Sequence, residues 1–181
     1  LTSIDVSSMN TGNVTVMGSM FSDCSKLTSI DISTFETENV TSFNGMFLGC
    51  SLLESVNMTG LDTSNLTNMS MMFWQCTSLE NVEFSSFNTE KVTAMGGMFE
   101  GCSSLKVLDL SSFDTQNASD ANEIFFAESD KMMYGCDNLK SILISEKFII
   151  SGDTAQMFDR CKNLSSIVTT SKTPVENQFN Q

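Results

Sequence analysis

Residues 27–52 read LTSIDISTFETENVTSFNGMFLGCSL, and this unit decides the fold because the chain repeats it along its length. Successive copies begin 26 residues apart as far as Leu105, and then after 34 and 25 residues. The copies open at Leu1, Leu27, Leu53, Leu79, Leu105, Leu139 and Leu164. The sequence therefore predicts a single solenoid domain of about seven repeats over residues 1–170, with an insertion within 118–135 and a polar tail at 171–181.

The start of each unit predicts a short β-strand. Leu27, Ile30 and Ile32 follow the L-x-x-I-x-I spacing of a leucine-rich repeat, in which alternate side chains of a strand point into the core. The same trio recurs as Leu1, Ile4, Val6; Leu53, Val56, Met58; Leu79, Val82, Phe84; and Leu105, Leu108, Leu110. Stacked copies of this strand predict a parallel sheet on one face of the solenoid.

The end of each unit predicts a helix of about two turns. Phe43, Met46, Phe47 and Cys50 stand at i, i+3, i+4 and i+7, which is the spacing of one helix face. Thr15, Thr41, Thr67 and Thr93 are then placed to cap these helices. The predicted fold class is an α/β repeat, a right-handed leucine-rich-repeat-like solenoid with a parallel sheet on one face and short helices on the other.

Composition excludes several functions. A net charge of −13 and a pI near 4.1 argue against nucleic acid and anionic lipid as partners, because both need a positive protein surface. Apolar runs stay well short of the roughly 18 residues of a membrane span, so direct membrane insertion is not expected. The chain has no histidine, which removes the commonest general base and metal ligand, and it has no cofactor motif. A cysteine-dependent enzyme is a remote alternative, and no catalytic residue and no cofactor is predicted.

Two series of residues recur once per repeat. Six cysteines follow the repeat spacing and match no zinc or redox motif, which predicts buried free thiols, with some disulfides, metal binding or catalysis as alternatives. They are Cys24, Cys50, Cys76, Cys102, Cys136 and Cys161. Turn asparagines recur as Asn13, Asn39, Asn65 and Asn117. Asparagine closes turns through its side-chain amide, so a structural ladder is predicted, with a polar groove that reads a sugar or peptide as the alternative.

Three features are candidate binding sites. Acidic or amide side chains occupy the outward strand position and predict a solvated face, with a bridging calcium ion or a basic protein partner as alternatives. This stripe consists of Asp5, Asp31, Asn57, Glu83 and Asp109. Trp74 is predicted to be partly buried, with an interface anchor as the alternative. The insertion offers Phe126, Glu128, Asp130 and Tyr134, either as a binding loop or as a neutral one, and Leu143 interrupts the acidic stripe after it.

The repeated F-x-T-x-N-V-T and M-F-x-G-C blocks resemble those of BspA-like leucine-rich-repeat surface proteins, including the repeats associated with mycoplasma lipoproteins. The resemblance covers residues 1–117 closely and 134–169 loosely. It implies export to the cell surface and, for some members, adhesion to host proteins or other bacteria. It carries no catalytic residue.

The sequence thus favours a non-enzymatic binding or adhesion module outside the cell, with an unidentified protein or glycan as its ligand. A structural spacer within a larger surface protein is the alternative. Neither end of the solenoid carries a recognisable cap, so end-to-end association is expected to be a risk, while the oligomeric state stays open.

Overall fold

The computed structural model describes residues 2–121, 124, 135–150, 157–158 and 161–170. Its strands are short and pair in parallel, each with the strand of a neighbouring repeat. They are β1 (Ser29–Asp31), β2 (Ser55–Asn57), β3 (Val107–Leu110), β4 (Ser141–Ile144) and β5 (Ser166–Thr169). β1 pairs with β2, and β3, β4 and β5 form a second sheet in that order. The predicted strand face is therefore confirmed as parallel, and each repeat is one rung of a stack.

The strand trios supply one side of the core. Ile30 and Ile32 in the second rung are 5% and 0% exposed, and the corresponding Leu108 and Leu110 in the fifth are fully buried. Residues between them face solvent, which is the alternation that a strand packed on one side requires.

The strand face is not continuous, because the first and fourth rungs form no strand at residues 2–6 and 79–84. The fourth rung is still held to the third, since the Glu80 N–H donates to the Glu54 carbonyl at 3.3 Å. This bond is longer than the 2.9 Å bond between Glu54 and Thr28 one rung earlier. Glu54 and Glu80 carry like charges on neighbouring rungs, which opposes close pairing at this point.

The predicted helices are wrong. The described part of the chain contains no α-helix, and the segment from Phe43 to Cys50 is instead a run of β-turns. The Met46 N–H donates to the Phe43 carbonyl at 3.0 Å, and the Cys50 N–H donates to the Phe47 carbonyl at 3.1 Å. Each turn buries its first and fourth residues, and the second turn begins directly after the first ends. The buried positions are therefore i, i+3, i+4 and i+7, which are also the positions that one face of a helix would bury.

Alternate amides in the same run point along the stack. The N–H groups of Phe43, Gly45, Phe47 and Gly49 donate to carbonyls of the third rung at 2.8–2.9 Å. The third residue of each turn lies in the left-handed region, with φ of 59° at Gly45 and 72° at Gly49. Type II turns place such a residue at this position. Equivalent residues in the other regular rungs take the same conformation: Ser19, Asp23, Met71, Gln75, Gly97 and Gly101.

The close spacing of the rungs excludes helices from this face. An α-helix with its side chains is about 10–12 Å wide, whereas hydrogen-bonded chains lie about 4.8 Å apart. On the turn face the rings of Phe21, Phe47, Phe73 and Phe99 stack nearly parallel, with centroids 5.4–6.0 Å apart. Because both faces repeat at nearly the same short distance, a helix on every rung would not fit.

Threonines predicted as helix caps have a different role. The N–H and the hydroxyl of Thr41 both donate to the Thr15 carbonyl of the previous rung, at 2.8 and 3.1 Å. Thr67 and Thr93 repeat this arrangement one and two rungs later. These side chains therefore join rungs rather than cap helices.

One phenylalanine links the two sides of the core. Phe84, from the strand side of the fourth rung, is fully buried and packs edge-on against Phe73 and Phe99 of the turn-side stack. Its ring also meets Phe87 and Phe113 edge-on, at 5.0 and 5.2 Å. Edge-on aromatic packing of this kind stabilises a core beyond the area that it buries.

Substitution of Gly49 by alanine distinguishes the turn run from a helix, because it changes the free energy of unfolding in opposite directions in the two structures. In a helix, glycine to alanine stabilises by about 1 kcal/mol. At a positive φ the same change costs about 1–2 kcal/mol, and here the new Cβ also meets the Asp23 carboxylate. We expect denaturant unfolding to show destabilisation by Gly49→Ala. The matched change Ser19→Gly, at φ 57°, is expected to stabilise; the opposite pair of signs would contradict the turn run.

Candidate binding surface

The acidic stripe is exposed, and the side chain of each of its members accepts a hydrogen bond from a backbone N–H nearby in its own rung. The Ser33 N–H donates to Asp31 Oδ1 at 2.9 Å, and the Ser7 N–H donates to Asp5 Oδ1 at 3.0 Å. Asn57, Glu83 and Asp109 accept in the same way from the amide two residues on. Short polar side chains close turns by bonding to nearby backbone in this manner. The stripe therefore terminates each strand segment as well as facing solvent.

These hydrogen bonds favour the ionised form of two carboxylates of the stripe, Asp31 and Asp5. The hydroxyl and backbone N–H of Ser33 lower the pKa of Asp31, and the backbone N–H of Ser7 lowers the pKa of Asp5. Each rung contributes one such side chain, and the described residues include no cluster of three or more metal-ligating side chains. The calcium candidates Asp5, Asp31, Glu83 and Asp109 thus lie in a row along the stack. Their carboxylates do not point toward one common position.

Trp74 is half-buried on the turn face. Its backbone belongs to the ladder, since its carbonyl accepts from the Gly49 N–H at 2.8 Å and its N–H donates to the Met71 carbonyl at 3.0 Å. A role for its ring as an interface anchor stays a prediction.

The cysteines form a ladder that is hydrogen-bonded from rung to rung, and all six are free thiols. The Cys50 thiol donates to the Phe21 carbonyl at 3.0 Å, and that carbonyl also accepts the N–H of Cys24 in its own rung. Cys76, Cys102 and Cys136 repeat this bond at 3.1 Å to Phe47, Phe73 and Phe99. Each thiol thus ties the turn run of one rung to that of the rung before it.

Burial makes most of these thiols poor nucleophiles. Desolvation raises the pKa of Cys50 to about 11 and raises the pKa values of Cys76 and Cys102 further. Cys136 hydrogen-bonds to Cys161, which raises the pKa of Cys136 and lowers that of Cys161. Nucleophilic cysteine chemistry needs an accessible thiolate, and the environments of Cys50, Cys76 and Cys102 disfavour one.

The turn asparagines also form a ladder. The side-chain amides of Asn39, Asn65 and Asn117 donate to the carbonyls of Gly12, Glu38 and Glu90 in the preceding rung, at 2.8–2.9 Å. Asn13, in the first rung, is exposed. Lys91 replaces asparagine in the fourth rung, and its ammonium donates to Asn65 Oδ1 at 2.7 Å.

Sequence reasoning missed a second asparagine ladder on the other side of the cysteines. Asn138 donates to the Ser103 carbonyl at 2.8 Å, and Asn163 donates to the Asp137 carbonyl at 2.6 Å. Both residues follow the cysteine of their repeat by two positions, where the earlier repeats carry lysine, leucine or serine. That shared offset from the cysteine was the signal available in the sequence.

A series of buried threonines links neighbouring rungs through hydroxyls that both donate and accept. Thr89 Oγ1 accepts from the Asp114 N–H at 2.8 Å and donates to the Asp114 carbonyl at 2.9 Å. Thr63 and Thr115 bind Asn88 and Ile149 in the same two-way manner. Each of these hydroxyls therefore bonds both the N–H and the carbonyl of one residue in the next rung.

The insertion begins where the hydrogen bonds between the turn runs of neighbouring rungs change their acceptor. Both oxygens of the Asp120 carboxylate accept, from the N–H groups of Met95 and Gly96 at 2.8 Å, so a side chain replaces a backbone carbonyl. The binding candidates Phe126, Glu128, Asp130 and Tyr134 lie outside the described residues. Their role stays a prediction.

Parallel strands on stacked, ladder-bonded rungs define a leucine-rich-repeat-like repeat protein. The crystal structure of the Treponema pallidum leucine-rich repeat protein is similar to this fold, with a TM-score of 0.52 and 17% sequence identity. The match covers 86% of this chain and 66% of that one, so the chain spans just under two thirds of its structural relative.

Residues 2–60 and 52–170 match the family described as "Mycoplasma protein of unknown function, DUF285". The chain belongs to this family. No curated protein matches the sequence. The comparisons support a leucine-rich-repeat-like repeat protein, whereas the narrower BspA-like affiliation stays a prediction.

The raised pKa of Cys50 predicts that stability falls in alkaline solution. The folded state favours the neutral thiol, so this contribution is complete below the ordinary pKa of 9.0 and is lost as the pH rises toward about 11. We expect the free energy of unfolding to fall over that range, and to fall less in Cys50→Ala. Comparing the two proteins removes the contributions of lysine and tyrosine titration, because these are common to both. The free, buried cysteine ladder would be contradicted if the free energy of unfolding fell equally with pH in both proteins. It would also be contradicted by fewer than six reactive thiols after unfolding without reductant.

Proposed function

We propose that the chain is a non-enzymatic binding module that presents its strand face to a protein or glycan at the cell surface. The observation that carries this proposal is the contrast between the two faces. On the turn face, the ladders of backbone, cysteine, asparagine and threonine groups are engaged in holding rungs together. On the strand face, outward side chains such as Ser29, Asp31 and Ser55 are exposed in regular rows. Repeat solenoids use extended surfaces of this kind for binding.

The setting and the partner class follow from charge and resemblance. The BspA-like blocks support an extracellular or cell-surface location and an adhesive role. A net charge of −13 disfavours nucleic acid and anionic lipid and favours a partner with basic groups opposite the stripe. The described residues contain no helix with the length and hydropathy needed to cross a bilayer. The module needs no cofactor for this role.

A structural spacer is the second candidate, and the uniformity of the turn face over the first four rungs favours it. Their ladders repeat with nearly constant geometry, as in the inter-rung bonds of Thr41, Thr67 and Thr93 at 2.8–2.9 Å. A uniform stack holds a distal domain at a fixed distance without contacting a ligand itself. End-to-end association of rungs would extend such a spacer, and its extent stays a prediction.

Binding to immobilised extracellular-matrix proteins and glycans tests the first proposal against the second. We expect saturable binding of the whole chain to at least one member of the panel. Neutralising Asp31→Asn with Glu83→Gln is expected to weaken that binding. The matched pair Glu36→Gln with Glu38→Gln, exposed in the turn after the strand, removes the same charge and is expected to leave it unchanged. Absence of binding across the panel would favour the spacer, and equal losses in both pairs would remove the strand face from the proposal.

A further inference from the structure

The strand face changes its chemistry along the stack. In β1 and β2 the outward residues are Ser29, Asp31, Ser55 and Asn57, all polar. In the sheet of β3, β4 and β5 three outward positions are aliphatic instead, namely Val107, Leu143 and Val168. Val107 and Val168 are 57% and 48% exposed. Leu143 is half-buried. Two large aliphatic groups left in water on a strand face, where earlier rungs carry polar ones, mark a surface suited to a partner.

The strand register brings these three side chains together. Leu143 pairs with Val168 on one side and with Asp109 on the other, while Val107 pairs with Ser141, two residues before Leu143. Paired residues on neighbouring parallel strands lie about 4.8 Å apart and point to the same face of the sheet. Leu143 therefore lies between the two valines, directly beside one and diagonal to the other.

A basic border accompanies the aliphatic group. Lys106 and Lys140 stand at one position of neighbouring rungs, since the Lys140 N–H donates to the Lys106 carbonyl at 2.9 Å. Both residues are exposed, and the two preceding rungs carry Glu54 and Glu80 there. The Lys106 ammonium is 3.4 Å from the Glu80 carboxylate, but both side chains are more than half exposed. Solvent screens such a pair, so the positive charge still reaches a partner.

We propose that this C-terminal strand face, defined by Val107, Leu143, Val168, Lys106 and Lys140, docks an acidic segment of another protein that carries aliphatic side chains. Charge complementarity selects carboxylates in the partner, because these lysines replace glutamates within a strongly acidic chain. Burial of Leu143 and its neighbours selects aliphatic groups. A second copy fits less well, since its acidic outward positions alternate with serine and not with aliphatic side chains. The proposal rests on the binding function proposed above and adds a second contact at the C-terminal end of the same face, where the partner presents carboxylates and not the basic groups that face the acidic stripe.

Titration with a fluorescent peptide in which glutamate alternates with valine tests the proposal on the whole chain. We expect saturable binding that weakens with added salt. The matched peptide with lysine in place of glutamate is expected to bind the acidic stripe instead, so its affinity does not fall in Leu143→Asp. Leu143→Asp is expected to reduce affinity about tenfold, which is the effect of leaving one aliphatic side chain unburied. Lys140→Glu is expected to act in the same direction. Ser29→Asp, at an outward position of β1 in the other sheet, is the matched control and is expected to have no effect.

Several outcomes overturn the proposal. An equal loss of affinity for both peptides in Leu143→Asp removes the charge preference, and equal affinity of Leu143→Asp and Ser29→Asp for the glutamate peptide removes the site. Salt-sensitive dimerisation of the chain that Leu143→Asp abolishes identifies a second copy as the occupant. The binding function is tested separately: a matrix protein bound equally by wild type and Leu143→Asp retains that function and rejects this site. Circular dichroism and thermal unfolding verify that each variant is folded.

Discussion

Backbone hydrogen bonds join neighbouring rungs on both faces of the stack, and the short distance that they impose governs the rest of the molecule. On the turn face, alternate amides such as those of Phe47 and Gly49 donate to the next rung. On the strand face the parallel pairs do the same. Since both faces repeat at nearly one spacing, each side chain lies directly above its counterpart. A position in this fold must therefore hold a residue that packs well against copies of itself.

That requirement explains which residues recur. Phenylalanine rings stack, asparagine amides and threonine hydroxyls donate to a carbonyl one rung away, and cysteine fits a narrow site while its thiol donates to a phenylalanine carbonyl. Carboxylates repel one another when they stack, and those of the acidic stripe are exposed, so solvent screens them while nearby amides bind them. The aliphatic and basic residues around Leu143 serve no ladder of this kind, which is why they carry the proposal for a partner.

The sequence was sufficient to predict the repeat, the strands and the buried trios, because the L-x-x-I-x-I spacing has one simple structural meaning. It was not sufficient to predict the turn face. Two successive β-turns bury the same i, i+3, i+4 and i+7 positions as a helix, and the glycines that reveal the turns, Gly45 and Gly49, are replaced in the third rung by Met71 and Gln75 at the same positive φ. Of the candidate site, Leu143 was visible as a break in the stripe, but its grouping with Val107 and Val168 depends on strand register across an irregular insertion.

On the turn face the backbone is hydrogen-bonded between rungs and not within a helix. Through-hydrogen-bond NMR couplings test it directly, because they connect an amide nitrogen to the carbonyl carbon that accepts from it. The amide of Phe47 is predicted to couple to the carbonyl of Met72, one rung away. A coupling from Phe47 to the carbonyl of Phe43, four residues back in the same rung, would be the signature of an α-helix and would contradict the account.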